Sequence, residues 1–435
     1  LLFGDVLGRL TGVRSFEDFT LDLRQQTTPE SFQDGRGERA SEIVLVLFDE
    51  LTFEETPWLS PFPRRHLAEL VDAASAAGAK TIGVDVYLDK LFPRLNEIDS
   101  GNDLLRDAID RAGNVILVSP VAETDSGPLA TPPHPFFADV AFDVGTAELP
   151  APFENFRDGT LAVRSGDGLE PSFALAMYAH SRGLDVDSLL RAAWEQGRIE
   201  LPGLPDQYGE IPAGWRTGSD EGSRGAVVPF RVLYAGPPSG TLATDPPGTF
   251  TAQGSATAAT YAMLAPEIFR DRIVILGTGF HSEDRFRTPF YGYATALEDG
   301  TEEEYRWMYG VEIHANALQN MIDGRYVRPM GAGAKLAFMT LLAALVGGVV
   351  FWRGTAWGAL GATFAVFMAV AVAYWAWAGS VYVLPGSELF SLGDVGGWVP
   401  IGTPVLSALF SYVGSVAYVA IVEGREKRFI KGAFG

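Results

Sequence analysis

Three long stretches without a charged residue constrain the fold of this chain more than any other feature. They lie near its end and comprise residues 336–352, 354–387 and 395–422. An α-helix rises about 1.5 Å per residue, so about 17 to 25 apolar residues cross the hydrocarbon core of a bilayer. Buried helices of soluble domains normally keep a polar stripe, which these stretches lack. The sequence therefore predicts three transmembrane helices, over residues 335–353, 355–378 and 398–422.

Charge is separated along the chain in the same way. The 435 residues carry a net charge of −21, and 47% of them are hydrophobic. Residues 335–435 hold six basic and four acidic side chains, a net +2, so residues 1–334, with 27 basic and 50 acidic ones, carry −23. A surface this acidic does not neutralise phosphates, so we expect no nucleic-acid partner. The pattern predicts an acidic soluble domain followed by a membrane anchor.

Basic flanks orient the predicted spans. Arg353 and the tail 425–431 are basic, whereas the loop 379–394 has two acids and no Lys or Arg. The positive-inside rule places basic flanks in the cytoplasm, so the C-terminus is expected there and the acidic domain outside. Three basic residues oppose this orientation: Arg325, Arg328 and Lys335.

The expected domain order follows from these boundaries. We interpret residues 1–12 as the end of a truncated N-terminal transmembrane segment that acts as a signal anchor. The soluble domain is expected over residues 13–334, and residues 379–397 are expected to form an extracytoplasmic loop between the second and third spans. Residues 423–435 are interpreted as a cytoplasmic linker to a missing output domain; the alternative is a plain stop-transfer cluster of positive charges.

Apolar runs alternate with amphipathic segments within the soluble domain. The sequence predicts strands at residues 43–48, 81–87, 115–118, 225–234 and 273–276, and helices at residues 63–77, 102–112 and 311–322. This alternation is typical of an α/β fold with a mostly parallel sheet that helices cover on both faces. The Pro-rich residues 120–152 are expected to form loops and edge structure.

Ligands of open parallel sheets usually bind beyond the carboxyl ends of the strands. Asp49 follows the first predicted strand, Asp85 lies in the second, and Asp284 follows the strand at 273–276. If they converge, they form an acidic pocket for a cation or an amine-bearing ligand. The alternative is that each aspartate caps a helix or pairs with an arginine. The candidate ligand-binding residues are Asp49, Arg64, Asp85, Asp284 and His314.

Motifs of enzymes and of metal sites are missing from the sequence. It contains no cysteine, and its five histidines form no zinc-ligand spacing. Neither a G-x-x-x-x-G-K loop nor a G-x-S-x-G elbow occurs. Gly277-Thr278-Gly279 follows a strand without the rest of a dinucleotide-binding pattern, so a tight turn is expected there. We expect no catalytic residue, no metal and no cofactor in this part of the protein.

About residues 13 to 330 resemble the CHASE type 2 domain, an extracytoplasmic sensor module of bacterial membrane receptors. The resemblance rests on residues 16–24, 43–50, 60–64, 78–85, 158–164 (a D-G-x-x-R turn), 171–174, 272–277 with Asp284, Thr288 and Pro289, and 310–316. Residues 292–309 are longer and more acidic than the family pattern. The resemblance implies three transmembrane helices after the sensor and often a cytoplasmic adenylate or guanylate cyclase or kinase. Residues 425–435 resemble the linker into the cyclase type.

Two functions are compatible with the sequence. The first is a membrane-anchored sensor in the bacterial cytoplasmic membrane, non-catalytic in this fragment, that binds an unknown extracytoplasmic ligand and signals through its helices. The alternative is a structural accessory subunit of a large membrane complex, for example a photosynthetic or respiratory one. The expected partners are the lipid bilayer and either other membrane subunits or a homodimer partner. Whether the full chain is an enzyme depends on an output domain after Gly435.

Overall fold

The computed structural model describes most of the chain. The described residues are 11–26, 42–48, 52, 63–91, 101–124, 127–147, 156–165, 168–201, 209, 211, 213, 215, 227–232, 250–253, 262–279, 285–289, 293–296, 302–305, 308–324, 327–378 and 397–434. They form two compact units, of which one comprises residues 1–28 and 327–435 and the other residues 29–326. In this division the helix Thr11–Gln26 lies with the C-terminal helices, although the expected soluble domain began at residue 13.

Helices and strands alternate through the described residues. The α-helices are α1 (Thr11–Gln26), α2 (Arg64–Ala76), α3 (Asn102–Ala112), α4 (Pro135–Ala138), α5 (Phe173–Arg182), α6 (Val186–Gln196), α7 (Gly310–Asp323), α8 (Ala332–Arg353), α9 (Thr355–Ala378) and α10 (Gly402–Phe434). The strands are β1 (Ile43–Phe48), β2 (Thr81–Asp85), β3 (Val115–Ser119), β4 (Val121–Thr124), β5 (Gly127–Ala130), β6 (Asp143–Thr146), β7 (Asp158–Ser165), β8 (Gly168–Pro171), β9 (Val227–Arg231), β10 (Phe250–Gln253), β11 (Ile273–Thr278), β12 (Arg285–Phe286), β13 (Tyr293–Ala296), β14 (Glu302–Tyr305), β15 (Met308–Tyr309), β16 (Arg328–Pro329) and β17 (Gly397–Trp398).

A six-stranded sheet forms the centre of the unit 29–326. Its strand order is β10-β1-β11-β2-β3-β6, and every neighbouring pair is parallel. The inner strands are nearly continuous apolar runs, as expected where a parallel sheet is buried on both faces. The predicted α/β fold with a mostly parallel sheet is therefore confirmed. A smaller antiparallel sheet, β8-β7-β9, accompanies it.

The two faces of the sheet pack against different helices. Val44 and Val46 point into the layer that contains α2 and α3, whereas Leu45 and Leu47 point into the layer that contains α5 and α7. Helix α2 covers its face because its apolar side chains recur at helical spacing, and it ends before Gly78, whose φ is 88°. A left-handed backbone at that position favours glycine.

Glycines let two helices approach the sheet on the other face. A Cβ atom added to Gly83 in β2 would lie 2.9 Å from a ring carbon of Phe173 in α5. One added to Gly277 in β11 would lie 2.8 Å from Cγ2 of Val311 in α7. Both distances are shorter than real carbon contacts, so these strands need residues without a side chain.

Three local expectations differ from the structure. The second strand ends at Asp85 and not at residue 87. Gly277 and Thr278 still belong to β11, and the amide of Gly279 donates to the Phe48 carbonyl, so strand pairing continues where a tight turn was expected. Residues 158–164, expected as a turn, lie in β7, because pairing with β8 and β9 on both sides keeps them extended.

The unit that includes residues 327–435 contains three helices long and apolar enough to cross a membrane. These stretches are Ala332–Arg353, Thr355–Trp377 and Gly402–Lys431. β16 and β17 pair in parallel just before α8 and α10, so both helices start at the same end of the unit. The predicted spans differ mainly at the third helix, which begins at Gly402 and continues past Val422 into the charged tail.

Many large apolar side chains are exposed in this unit, unlike in a soluble domain. The interfaces between helices combine small side chains, such as Ala365 and Ala369 of α9, with larger apolar ones of α8. Ser411 of α10 donates its hydroxyl to the Ala343 carbonyl of α8 at 2.6 Å. By contrast, the large Phe367 of α9 is 71% exposed. Small residues inside and large apolar ones outside are typical of helices surrounded by lipid.

A carboxylate from α1 caps the first turn of α10. Glu17 accepts hydrogen bonds from the backbone N–H groups of Ile401 at 2.8 Å and Thr403 at 3.1 Å. The first N–H groups of a helix have no partner within it, and a negative charge also opposes the positive end of the helix dipole. The side chain that satisfies these groups therefore comes from a residue far away in the sequence.

We expect the Glu17→Ala variant to be less stable than the wild-type chain. The loss of a cap costs about 0.5–2 kcal/mol, and the freed N–H groups lie where apolar sequence begins. Thermal unfolding of the full chain in detergent should show an apparent Tm lower by a few degrees. Glu69→Ala, which removes an exposed carboxylate on α2, serves as the control and should leave Tm within one degree or so. Equal Tm values for the two variants would show that the cap does not stabilise α10.

Candidate functional site

The carboxyl edge of the parallel sheet is the place where the sequence predicted a ligand site. Asp85 is the last residue of β2 and pairs in register with Gly277 of β11. Helix α7 begins at this edge, because Val311 in its first turn contacts the position of Gly277. Helix α5 also begins there, since the Phe173 backbone lies against Gly145 near the end of β6. The edge is thus formed by strand ends and by the first turns of two helices.

Asp85 lies on the side of the sheet that α5 and α7 cover. Its neighbours Ile82 and Val84 point to the opposite side, into the layer of α2 and α3. A Cβ atom on Gly277 would lie 3.3 Å from the Cβ atom of Asp85, so the Asp85 side chain begins beside a strand position that carries no side chain. Asp85 is half-buried. Asp85 therefore lies at the carboxyl end of β2, and its role in ligand binding stays a prediction.

The first turn of α7 already carries a carboxylate of its own. Glu312, which is 1% exposed, accepts a hydrogen bond from the Tyr309 N–H at 2.8 Å. Strands β12 and β15 pair Arg285 with Tyr309, and the Arg285 guanidinium carbon lies 5.8 Å from the centre of the Tyr309 ring. Because Glu312 occupies this helix start, it is not an open binding site for an anion. Glu312 therefore acts as the cap of α7.

His314 is buried one turn further along α7. Its ring centre lies 5.5 Å from that of Phe173, and the two rings are nearly perpendicular. Burial lowers the pKa of His314 from its ordinary value of 6.5 to about 4, so the imidazole is neutral at pH 7. In this position His314 contributes to the packing between α5 and α7.

Arg64 lies at the start of α2, in the layer on the opposite side of the sheet. It donates to the Asn102 side-chain oxygen at 2.7 Å and to the Lys90 carbonyl, and its guanidinium carbon lies 4.7 Å from the centre of the Phe137 ring. Burial lowers the pKa of Arg64 to about 10, partly offset by the nearby charge of Asp89, so the guanidinium remains charged. Arg64 therefore joins the starts of α2 and α3. The structure does not place it on the same face as Asp85.

The other two candidates, Asp49 and Asp284, lie outside the described residues. The convergence of three aspartates stays a prediction for this reason. Asp49 directly follows Phe48, which pairs with Thr278 at the carboxyl edge, and Asp284 directly precedes β12. Within the described ranges, no group of three or more His, Asp or Glu side chains is arranged to hold a metal ion.

Sequence reasoning missed two residues of this edge, Glu312 and Arg285. Glu312 occupies the third position of α7, where a carboxylate commonly returns to the residue before the helix. That spacing was a usable signal. Nothing in the sequence indicated the contact between Arg285 and Tyr309, because it depends on the pairing of two very short strands.

One comparison with known proteins gives a match. The family model described as the CHASE2 domain matches residues 1–350. Neither the curated proteins nor the solved structures contain a match. The matched region includes the whole parallel sheet and extends into α8.

We expect His314 to make the fold sensitive to acid. Its folded-state pKa of about 4 lies below the ordinary value of 6.5, so protons bind the unfolded chain more readily. The stabilisation is fully present above pH 6.5 and is lost as the pH falls towards 4. The difference amounts to at most roughly 3 kcal/mol.

Urea unfolding of the full chain between pH 7.5 and 4.5 measures this effect. The His314→Gln variant should lose stability less steeply over that range than the wild-type chain. His66→Gln, in which a surface histidine of α2 is replaced, should retain the wild-type slope. If His314→Gln and the wild-type chain show the same slope, His314 is not the source of the acid sensitivity.

Proposed function

The chain belongs to the CHASE2 domain family, and from this premise we propose that it is a membrane-anchored extracytoplasmic sensor. CHASE2 is a family of extracellular sensor domains, and the match covers the entire unit 29–326. The three helices long and apolar enough to cross a membrane provide the anchor. The observation that carries the proposal is the combination of this family match with three candidate spans in one chain. The sensor region itself is not catalytic.

We further propose that the domain lies outside the cytoplasm and that the C-terminus lies inside, in a bacterial cytoplasmic membrane. The turn between α8 and α9 carries Arg353, and the last turns of α10 carry Arg425, Lys427, Arg428 and Lys431. These basic residues therefore lie at the ends of α8 and α10 that are farther from β16 and β17. The positive-inside rule supports this orientation.

The proposed ligand site is the carboxyl edge around Asp85. A half-buried aspartate at the end of β2, next to a helix start whose N–H groups are already capped by Glu312, supports a cation or an amine-bearing ligand over an anion. Asp49 and Asp284 are proposed to complete the site, while Arg64 and His314 are proposed to act through packing of the surrounding helices.

Signalling requires that the ligand binds one arrangement of the helices more tightly than another. Helix α7 is the proposed moving element. Its first turn contacts β11 at the site, and only eight residues separate its end at Asp323 from the start of α8 at Ala332. A shift of α7 therefore reaches the first span through a short segment of chain. The resemblance implies that an output domain after Gly435 would receive the signal.

Cysteine labelling tests the orientation. The chain has no cysteine, so a single substitution gives one reactive thiol. Gln196→Cys at the exposed end of α6 should react with a membrane-impermeant maleimide in cells whose cytoplasmic membrane is intact. Lys431→Cys near the end of α10 should react only after that membrane is opened. Labelling of both positions in intact cells, or of neither, would contradict the proposed orientation.

Thermal unfolding tests the site. We expect the full chain in detergent to be stabilised by at least one member of a panel of small amines, diamines and divalent cations. A ligand at 100 times its Kd adds about 2.7 kcal/mol to the free energy of unfolding. Asp85→Asn should abolish this increase, whereas Asp110→Asn, on the exposed side of α3, should preserve it. An increase that persists in Asp85→Asn would place the ligand elsewhere, and no increase with any probe would contradict the proposed ligand class.

A further inference from the structure

The outward face of α1 is apolar. Phe16, Phe19 and Leu23 recur at helical spacing and are 47%, 60% and 46% exposed. The remaining exposed side chain described in this helix is Ser15. Among the α1 side chains whose exposure the structure describes, those of residues 13 and 15–26, no charged one is exposed.

The inward face of the same helix is charged. Glu17, Asp18, Asp22 and Arg24 are each at most 7% exposed. Burial lowers the pKa of Arg24 to about 10, with the nearby charge of Glu17 acting in the opposite direction, so the side chain remains cationic. A surface helix in water normally buries its apolar face and exposes its charges. Helix α1 does the reverse, so the medium around its outward face is expected to be apolar.

The hydrogen bonds of Glu17 place α1 at one end of the third candidate span. Its carboxylate binds the N–H groups of Ile401 and Thr403, and that span begins at Gly402. Phe16 lies beside the same turn, because a Cβ atom added to Gly402 would lie 3.1 Å from a ring carbon of Phe16. The outward face of α1 thus lies beside the start of α10, one of the three helices that are long and apolar enough to cross a membrane.

The size of this face argues against a second protein chain. Two phenylalanines and one leucine, each about half exposed, present roughly 300 Å² of apolar surface. A stable interface buries about 800 Å² on each partner. A narrow apolar stripe opposite a charged face is instead typical of a helix that lies in a membrane interface.

We propose that the Phe16–Phe19–Leu23 face of α1 is inserted into the lipid bilayer, at the boundary between headgroups and acyl chains. Helix α1 is then an interfacial helix, and Glu17 fixes it to the first turn of α10. Lipid contact through α1 and the position of α10 are mechanically linked by one carboxylate. This contact goes beyond ligand sensing and does not depend on the site at Asp85.

Fluorescence quenching of the full chain in phosphatidylcholine vesicles tests the proposal. Phe19→Cys is labelled with a small bimane fluorophore, and Leu23→Cys provides an independent second position on the same face. Quenching is measured with iodide in the aqueous phase and with lipids that carry a nitroxide at carbon 5 or at carbon 12 of the acyl chain.

Two control labels show how strongly each quencher acts on a fluorophore in water and on one deep in the bilayer. Phe142→Cys replaces a phenylalanine of similar exposure, 55%, in the unit 29–326 and reports a label in water. Phe367→Cys lies in the middle of α9 and reports a label deep in the bilayer. We expect iodide to quench the α1 labels several-fold less than the label at Phe142. We also expect the carbon-5 nitroxide to quench them more than the carbon-12 nitroxide, with the reverse order at Phe367.

Two results would overturn the proposal. Iodide quenching at residues 19 and 23 equal to that at residue 142 would place this face in water. Protection from iodide without quenching by either lipid would mean that protein, for example a second copy of the chain, covers it. The labelling of Gln196→Cys and Lys431→Cys tests the membrane orientation and not the lipid contact of α1. Each proposal can therefore be contradicted without the other.

Discussion

A parallel sheet must be covered on both of its faces, and the unit 29–326 is organised by this constraint. Adjacent parallel strands need crossover connections, and here α2 and α3 follow β1 and β2 and cover one face. The second face remains for α5 and α7, which approach closely because Gly83 and Gly277 carry no side chain. The starts of α5 and α7 consequently meet at the carboxyl edge. The position of Asp85 beside them is a result of sheet topology.

In the unit with the candidate spans, large apolar side chains are exposed and a charged side chain is buried. Lipid solvates large apolar side chains as well as a protein core does, so Phe367 can face outward, while the small Ala365 and Ala369 let the helices approach each other. Backbone N–H groups, however, cannot rely on water where apolar sequence begins. Glu17 satisfies two of these groups at the start of α10. A charged side chain therefore stabilises the end of an otherwise apolar helix.

Periodicity and helix ends predicted much of the fold. The strand Ile43–Phe48 and the helix Asn102–Ala112 have the predicted bounds, because a continuous apolar run and a clear glycine stop mark them. Helix α5 was missed, since nearly every residue from Phe173 to Ala179 is buried and no polar stripe reveals its period. For the site, the strand pattern placed Asp85 where β2 ends, while its role in ligand binding stays a prediction. It did not reveal that Arg64 belongs to the other helical layer, because the face a residue occupies is decided by tertiary packing.

The sequence separates an acidic region from an apolar one, but the fold brings some of the acidic residues into the unit with the candidate spans. Glu17, Asp18 and Asp22 count towards the acidic domain in the sequence, yet they are buried in the unit that contains the candidate spans. Burying carboxylates is costly unless donors surround them, and the first turn of α10 supplies donors and a favourable dipole to Glu17. This arrangement also explains why α1 can turn its phenylalanines outward. Because Glu17 is hydrogen-bonded within the protein, its charge does not need to face water, and the exposed phenylalanines of α1 favour an apolar environment.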